Sequence, residues 1–443
     1  MIWRAVTALV VALLLATASA DAATGRRAVV LEVNGAIGPA LADYITQELA
    51  AVAPGDTGLV VLRMNTPGGL DGSMRKIIRA ILASPVPVAT FVAPSGARAA
   101  SAGTYIAYAS AVAAMAPGTN IGAATPIQLG GGGLFGGAKK DDKQKSGTEP
   151  ADTETRKIVN DATAYIRSLA ELNKRNVDWA EKAVRSADSL SAEAALQLKV
   201  IDVVADNVSD LLRKIDGRSV IVAGKPKTLE TAGLKVVTIA PGWRTELLGI
   251  ITNPNVAFIL MLIGIYGIIF EFTTPGTMVP GTIGVISLLL ALYALNLLPI
   301  NYAGAGLVLI GVALMIAEVF IGSFGVIGVA GVLAFGIGSF MMFNSGVPGF
   351  ELSLSVLAAA MIVTAALFVL VIALLLRSRK RPVVTGQEGI MGAEGETLAW
   401  QQDEGRVRVQ GEIWRARSSH PLEPGTRIKV VSRDGLVLLV EPA

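Results

Sequence analysis

The chain has no cysteine among its 443 residues and a single histidine, His420. The first absence excludes disulfide frameworks, thiolate zinc sites, iron–sulfur clusters and cysteine nucleophiles. The second excludes paired-histidine metal sites and leaves at most one Ser-His arrangement. Charge is scarce as well: 16% of residues are Asp, Glu, Lys or Arg, against 52% hydrophobic. A formal net charge of +3 is too small to argue for a nucleic-acid partner. An apolar excess of this size does not fit a soluble protein, and it points to membrane segments.

The scarcity of charge is concentrated in one place. Residues 245–376 contain no Lys or Arg, and their only acids are Glu246, Glu271, Glu318 and Glu351. Apolar runs at 256–272, 281–298, 303–320, 324–343 and 354–376 each approach the roughly 20 residues that cross about 30 Å of hydrocarbon. They predict an all-α polytopic membrane domain over 246–376 with about five spans. Gly322-Ser323 leaves little room for a turn, so one run is a candidate re-entrant segment. Glu271 and Glu318 lie near the ends of their runs, which predicts interfacial placement. Arg377, Arg379, Lys380 and Arg381 follow the last run and hold that end in the cytoplasm. At the other terminus Arg4, an apolar stretch over 6–16 and Ala18-Ser19-Ala20 have the form of a signal peptide ending at residue 20. The predicted product is a multi-pass protein of the bacterial inner membrane. Residues 25–235 form its extracytoplasmic domain, and five spans lead to a cytoplasmic tail.

The tail, residues 385–443, has the short alternating runs of a small all-β domain. Residues 406–413 alternate, and 428–431 and 436–440 flank the turn Arg433-Asp434-Gly435. A five-stranded OB-type barrel is expected. Only Trp400 and Trp414 supply aromatics, and seven basic residues face nine acidic ones. Nucleic-acid binding is therefore not expected, and a protein-interaction or structural role is.

Residues 27–120 alternate strand-like and helix-like segments: strands at 28–33, 59–64, 86–92 and 111–116, helices at 38–51 and 70–83. That order predicts an α/β domain with a parallel sheet whose active site lies at the strands' C-terminal ends. Two segments fall there. Asn65-Thr66-Pro67-Gly68-Gly69 follows the second strand, and its glycines allow backbone N–H groups to approach a ligand. Ala99-Ala100-Ser101-Ala102-Gly103-Thr104 opens a helix after the third. Alone, the first is an ordinary turn and the second an ordinary helix cap.

Together these segments, with Gly96-Ala97-Arg98 before the serine, Tyr105-Ile106-Ala107 after it and Met115-Ala116-Pro117-Gly118-Thr119-Asn120-Ile121-Gly122-Ala123 beyond, carry a resemblance. The chain resembles the ClpP-like (crotonase-fold) serine peptidases and, more closely, the NfeD family of membrane-bound serine proteases. The order of signal peptide, α/β domain, spans and OB-type tail fits the long members of that family. The resemblance implies that Ser101 is the nucleophile. His420 lies beyond the spans, so a Ser-His-Asp triad is excluded by topology, and lysine is the remaining common base. The resemblance points to Lys157, opening the helix that continues Ile158-Val159-Asn160 to Tyr165-Ile166-Arg167-Ser168-Leu169-Ala170. A cation in a first helical turn opposes the macrodipole, and Arg156 is adjacent; both favour the neutral amine. Residues 127–156, rich in Gly and Lys, form a long insertion whose lysines are rival bases.

The expected chemistry is acyl transfer to water, with N–H groups of Gly69 (or Gly68) and Ala102 holding the oxyanion and no metal or cofactor required. The resemblance further implies hydrophobic segments of stomatin-like (SPFH-type) membrane proteins as substrates, contact with membrane lipid, and a homo-oligomer, dimer or higher. A scaffold partnering a stomatin- or flotillin-type protein is the non-enzymatic alternative. A transporter is disfavoured by the lack of intramembrane charge.

Overall fold

The computed structural model describes residues 26–126, 150–274, 276, 278–323, 325–344, 346–379 and 387–443. The signal-peptide segment and most of the 127–156 insertion lie outside these residues. The chain divides within one long helix into two compact units, Met1–Val363 and Thr364–Ala443.

The first unit begins with an α/β domain. Its main sheet contains β1 (Arg27–Asn34), β2 (Thr57–Asn65), β3 (Val88–Val92), β5 (Val112–Met115), β8 (Val203–Val204) and β11 (Lys235–Ile239), in the order β11-β1-β2-β3-β5-β8. All five pairings are parallel. The near-continuous apolar runs of β1 and β2 follow from burial on both faces. Val29, Leu31 and Val33 enter one core with Val60, Leu62 and Met64, while Ala28, Val30, Leu59 and Val61 enter another. The first core is covered by α1 (Pro39–Ala51), α2 (Asp71–Ala83) and α4 (Pro150–Leu172), which turn an apolar face inward, and by α3 (Ala102–Ala109), whose residues are all buried. Then come α5 (Val177–Arg185), α6 (Ala192–Gln197) and α7 (Val208–Ile215), the last covering the opposite face through Leu211, Leu212 and Ile215. A hairpin of β9 (Ser219–Val222) and β10 (Lys225–Thr228) precedes β11.

Two features depart from expectation. A small second sheet, β4 (Arg98–Ala100), β6 (Asn120–Gly122) and β7 (Ser189–Ser191), stands beside the strand ends. Three-residue strands carry no legible period, so this layer had no sequence signature. In addition, α4 begins at Pro150, so 150–156 are helical and Lys157 does not open the helix.

After α8 (Trp243–Ile251) come five helices long and apolar enough to cross a membrane, which makes this a multi-pass membrane protein. They are α9 (Pro254–Thr273), α10 (Val279–Leu297), α11 (Tyr302–Ile321), α12 (Val326–Phe343) and α13 (Leu354–Arg379). The turn at Gly322-Ser323 joins two full helices, for a reason that lies in Glu318. Its buried carboxylate accepts hydrogen bonds from the Ser323 hydroxyl and from the N–H groups of Gly325 (2.9 Å) and Gly328 (3.3 Å). These would otherwise be orphan donors at the start of α12, where water is scarce. Glu271 does the same for α10, accepting from Met278 N–H (3.2 Å) and Gly281 N–H (3.3 Å).

The correspondence extends beyond the two caps. Gly264, Glu271, Val279, Gly281 and Gly284 recur as Gly311, Glu318, Val326, Gly328 and Gly331, a constant shift of 47 residues (318 − 271). The membrane domain thus contains two copies of one glycine-lined hairpin. A Cβ on Gly311 would stand 2.5 Å from the Phe335 nitrogen, and one on Gly264 2.8 Å from Leu288 Cβ. Such close approach is the packing that spanning helices use when water cannot drive association.

The second unit carries a closed five-stranded barrel of β12 (Glu394–Gln401), β13 (Glu404–Val409), β14 (Glu412–Arg417), β15 (Arg427–Asp434) and β16 (Val437–Pro442), in the order β12-β13-β14-β16-β15. Val407, Val409, Ile428, Val430, Leu438 and Val440 fill it. The alternating run 406–413 proves to be two strands, because Gln410 (φ 53°) and Gly411 (φ 88°) turn the chain back.

Candidate active site

Ser101 lies between β4 and α3 with φ 50° and ψ −115°, a strained conformation for a residue with a side chain. The surroundings over-determine it. Its N–H donates to the Gly122 carbonyl (3.0 Å), and its own carbonyl accepts from Thr104 N–H (2.9 Å). The buried Thr104 hydroxyl stands 2.9 Å from the Ala99 carbonyl and 3.1 Å from that of Gly122, which clamps the turn to β4 and β6.

Gly68 abuts the serine. A Cβ there would stand 2.6 Å from Ser101 Cβ and 3.1 Å from its Oγ, and the φ of +117° is one only glycine adopts without strain. Gly69 is pressed equally hard against the backbone of Ile37, 2.3 Å from its carbonyl oxygen by the same measure. The N–H of Gly68 donates to the Thr66 hydroxyl (3.1 Å). Among the described residues, the N–H groups of Gly69 and Ala102 donate to no protein acceptor. Of the two glycine alternatives, therefore, Gly69 is the one with a free donor.

The helix bearing Lys157 packs against the serine's helix. The Tyr105 hydroxyl reaches the Ala162 carbonyl (3.4 Å), the Tyr105 and Tyr165 rings stack at 6.1 Å, and farther along Asn173 donates to the Tyr108 carbonyl (2.8 Å). Lys157 lies five residues before Ala162 and Ser101 four before Tyr105. Lys157 is exposed, and among the described residues it makes no hydrogen bond or ion pair, with Ser101 or otherwise. Because α4 starts at Pro150, the lysine is beyond the first turn, where the macrodipole has largely decayed.

Two arginines brace this arrangement and were not singled out from the sequence. Arg75 bonds both Asp71 (2.9 Å) and Asp161 (2.6 Å) and covers the Tyr165 ring at 4.4 Å, tying α2 to α4. Burial opposes its charge, but the two carboxylates outweigh that and hold the guanidinium above its usual range. Arg175, 2% exposed, donates to the carbonyls of Ala107, Tyr108 and Ser110 at the end of α3 and to Asp202. Burial also pushes the Tyr105 and Tyr108 hydroxyls well above their ordinary range, so both remain neutral donors. The lone histidine belongs to the second unit, its Nδ1 3.2 Å from the Ser419 hydroxyl.

Known proteins place this architecture. Residues 28–222 match the family model described as the NfeD1b N-terminal domain, 255–374 the NfeD integral membrane domain, and 387–442 the NfeD-like C-terminal, partner-binding domain. Over 93% of its length the chain is 34% identical to a membrane-bound protease of Pyrococcus horikoshii, covering 92% of that protein. The chain belongs to the NfeD family. A second NfeD protein, the membrane protein NfeD1b of Bacillus subtilis, is 28% identical over 69% of this chain and 65% of its own. Among solved structures, a membrane protease specific for a stomatin homolog from Pyrococcus horikoshii aligns with 31% identity and a TM-score of 0.41, covering 51% of this chain and 97% of that one.

Proposed function

We propose that this NfeD protein is a membrane-bound serine endopeptidase with a ClpP/crotonase-like α/β domain, Ser101 as nucleophile and Lys157 as base. The observation that carries the reading is the strained Ser101, at the head of α3 with Gly68 against its side chain and open N–H groups on Gly69 and Ala102. Strain of this kind persists where surroundings enforce it, and it clusters at reacting groups. Ser101 Oγ attacks a peptide carbonyl while its proton passes to the Lys157 amine. The N–H groups of Gly69 and Ala102 receive the negative oxygen, and the amine product departs with the proton from Lys157. Water activated by Lys157 then releases the acyl group.

A solved relative is described as specific for a stomatin homolog, and on that likeness we infer a stomatin-type membrane protein as the substrate, cleaved in its hydrophobic segments. We further propose that the peptidase domain lies outside the cytoplasm and the tail within it, a reading supported by an odd number of candidate spans followed by Arg377 and Arg379. We assign the barrel to the OB class on its strand order, first-second-third-fifth-fourth, with a partner-binding rather than nucleic-acid role. A homo-oligomer embedded in lipid completes the reading. The test is hydrolysis of apolar peptides by the full chain in detergent and by its Ser101→Ala and Lys157→Ala variants. Loss of cleavage in both supports the dyad. Cleavage by Lys157→Ala at the parent rate assigns the base elsewhere, and an inert parent favours a scaffold.

A further inference from the structure

The loop between α12 and α13 reaches back into the α/β domain. Phe350, 6% exposed, belongs to the apolar cluster that holds the spans together, with Phe258, Phe335, Phe343 and Leu357. Its ring edge meets Gly38, where an added Cβ would stand 2.9 Å from the ring's Cζ. Beside it, Gly349 lies so close to Ala36 that a Cβ would come within 2.7 Å of the alanine methyl. Ala36 and Leu70 pack on the same membrane cluster.

Between Ala36 and Gly38 sits Ile37, fully buried, and its backbone is what holds the glycine pair. The Ile37 N–H donates to the Gly68 carbonyl (2.8 Å), and the Ile37 carbonyl accepts from Leu70 N–H (2.9 Å). Gly68 and Gly69 belong to no sheet. Only the single bridges Ile37↔Gly69 and Thr66↔Ala99 flank them. The contacts thus run without a gap from the membrane helices through Phe350 and Ile37 to Gly68 and the Ser101 side chain.

Building on the peptidase reading, we propose that Gly349-Phe350 is a positioning element for the site. It pins the 36–38 segment, and Ile37 in turn sets the Gly68–Gly69 peptide against Ser101. The membrane domain is then part of the catalytic apparatus, and any shift of its helices reaches the oxyanion donors. Phe350 itself touches no reacting atom.

The test uses the full chain in lipid nanodiscs, with Phe350→Ala, Phe350→Leu and Gly38→Val. The last approaches from the opposite side, since Gly38 (φ −112°) accepts a side chain that would displace the ring. Amide exchange at Ile37 and Leu70 is expected to accelerate in Phe350→Ala and Gly38→Val while β2 and β3 amides stay at parent rates. On an apolar peptide kcat is expected to fall about tenfold with KM within about twofold, as misplaced groups cost turnover more than binding. Phe350→Leu restores most of both. Unchanged exchange at Ile37 and Leu70 in Phe350→Ala, or unchanged kcat in an active preparation, overturns the inference. A parent inert on all peptides counts against the peptidase reading alone, and the exchange rates still judge the positioning element.

Discussion

Replacing the buried Arg175 by Ala is expected to loosen the α/β domain. The guanidinium makes four hydrogen bonds: to Ala107 O (3.0 Å), Tyr108 O (2.9 Å), Ser110 O (2.9 Å) and Asp202 Oδ2 (2.6 Å). Three of these satisfy carbonyls at the C-terminal end of the serine's helix, where the macrodipole also favours a cation. Removing one partner of a buried ion pair costs about 3–5 kcal/mol. Asp202 keeps Ala113 N–H (2.8 Å) and Arg218 (2.6 Å), so its charge is not orphaned and the lower half of that range applies. For a folding unit of about 150–250 residues, 3–4 kcal/mol lowers Tm by roughly 6–16 °C. Arg175→Lys keeps the charge, but one ammonium cannot serve four fixed acceptors, and about half the loss is expected. The assay is thermal unfolding of the detergent-solubilised full chain, with Trp3, Trp243, Trp400 and Trp414 replaced by Phe in parent and variant alike, followed by emission of Trp179, since that buried ring stacks on Tyr108 at 6.1 Å. A fall of under about 2 °C in Arg175→Ala, well short of the range above, would refute the reasoning.

Three further outcomes follow from the same geometry. Gly68→Ala places a methyl 2.6 Å from Ser101 Cβ at a φ of +117°, and peptide hydrolysis should drop by about 10²-fold or more while the fold persists by circular dichroism. Glu318→Ala strips the cap from α12 and should lower yield and thermal stability in detergent by a larger margin than Glu318→Gln, which keeps one acceptor oxygen; equal loss in the two would contradict capping. Lys214, Asp206 N–H and Arg213 hold the Asp210 carboxyl down at about 2 against an ordinary 3.8. A depressed folded value contributes stability above the ordinary value that is lost as pH falls through the folded one. Chemical unfolding of Asp210→Asn should therefore show lower stability at pH 7 and a flatter profile between pH 4 and 2, and an unchanged slope there would contradict the assignment.

Much of the architecture was legible because strong physics leaves strong patterns. Strands buried on both faces read as apolar runs, as in 28–33 and 59–64, and spans declare themselves by excluding Lys and Arg. What escaped notice depends on contacts between distant segments. The β4-β6-β7 layer is too short for a period, and Arg175 becomes a helix cap only when α4 lies beside α3. Glu271 and Glu318 were placed correctly near helix ends. Their capping role needed the turn geometry, although the repeat of Glu followed ten residues later by Gly, at a shift of 47, was present in the letters. Of the candidate site, Ser101 and the glycines meet directly because neighbouring strand ends deliver them. The lysine's helix was expected to start at Lys157, but the start at Pro150 moves that residue out of the first turn and leaves it in solvent. No sequence signal tied Phe350 to Gly38, which are separated by four spans.

The central claim is that Ser101 is the nucleophile, and covalent capture tests it most directly. The full chain in detergent is treated with a fluorophosphonate and digested, and the adduct is mapped by mass spectrometry. The adduct is expected on Ser101 alone, absent in Ser101→Ala together with peptide hydrolysis, and markedly slowed in Lys157→Ala. An adduct on another residue, or undiminished hydrolysis by Ser101→Ala, would contradict the account.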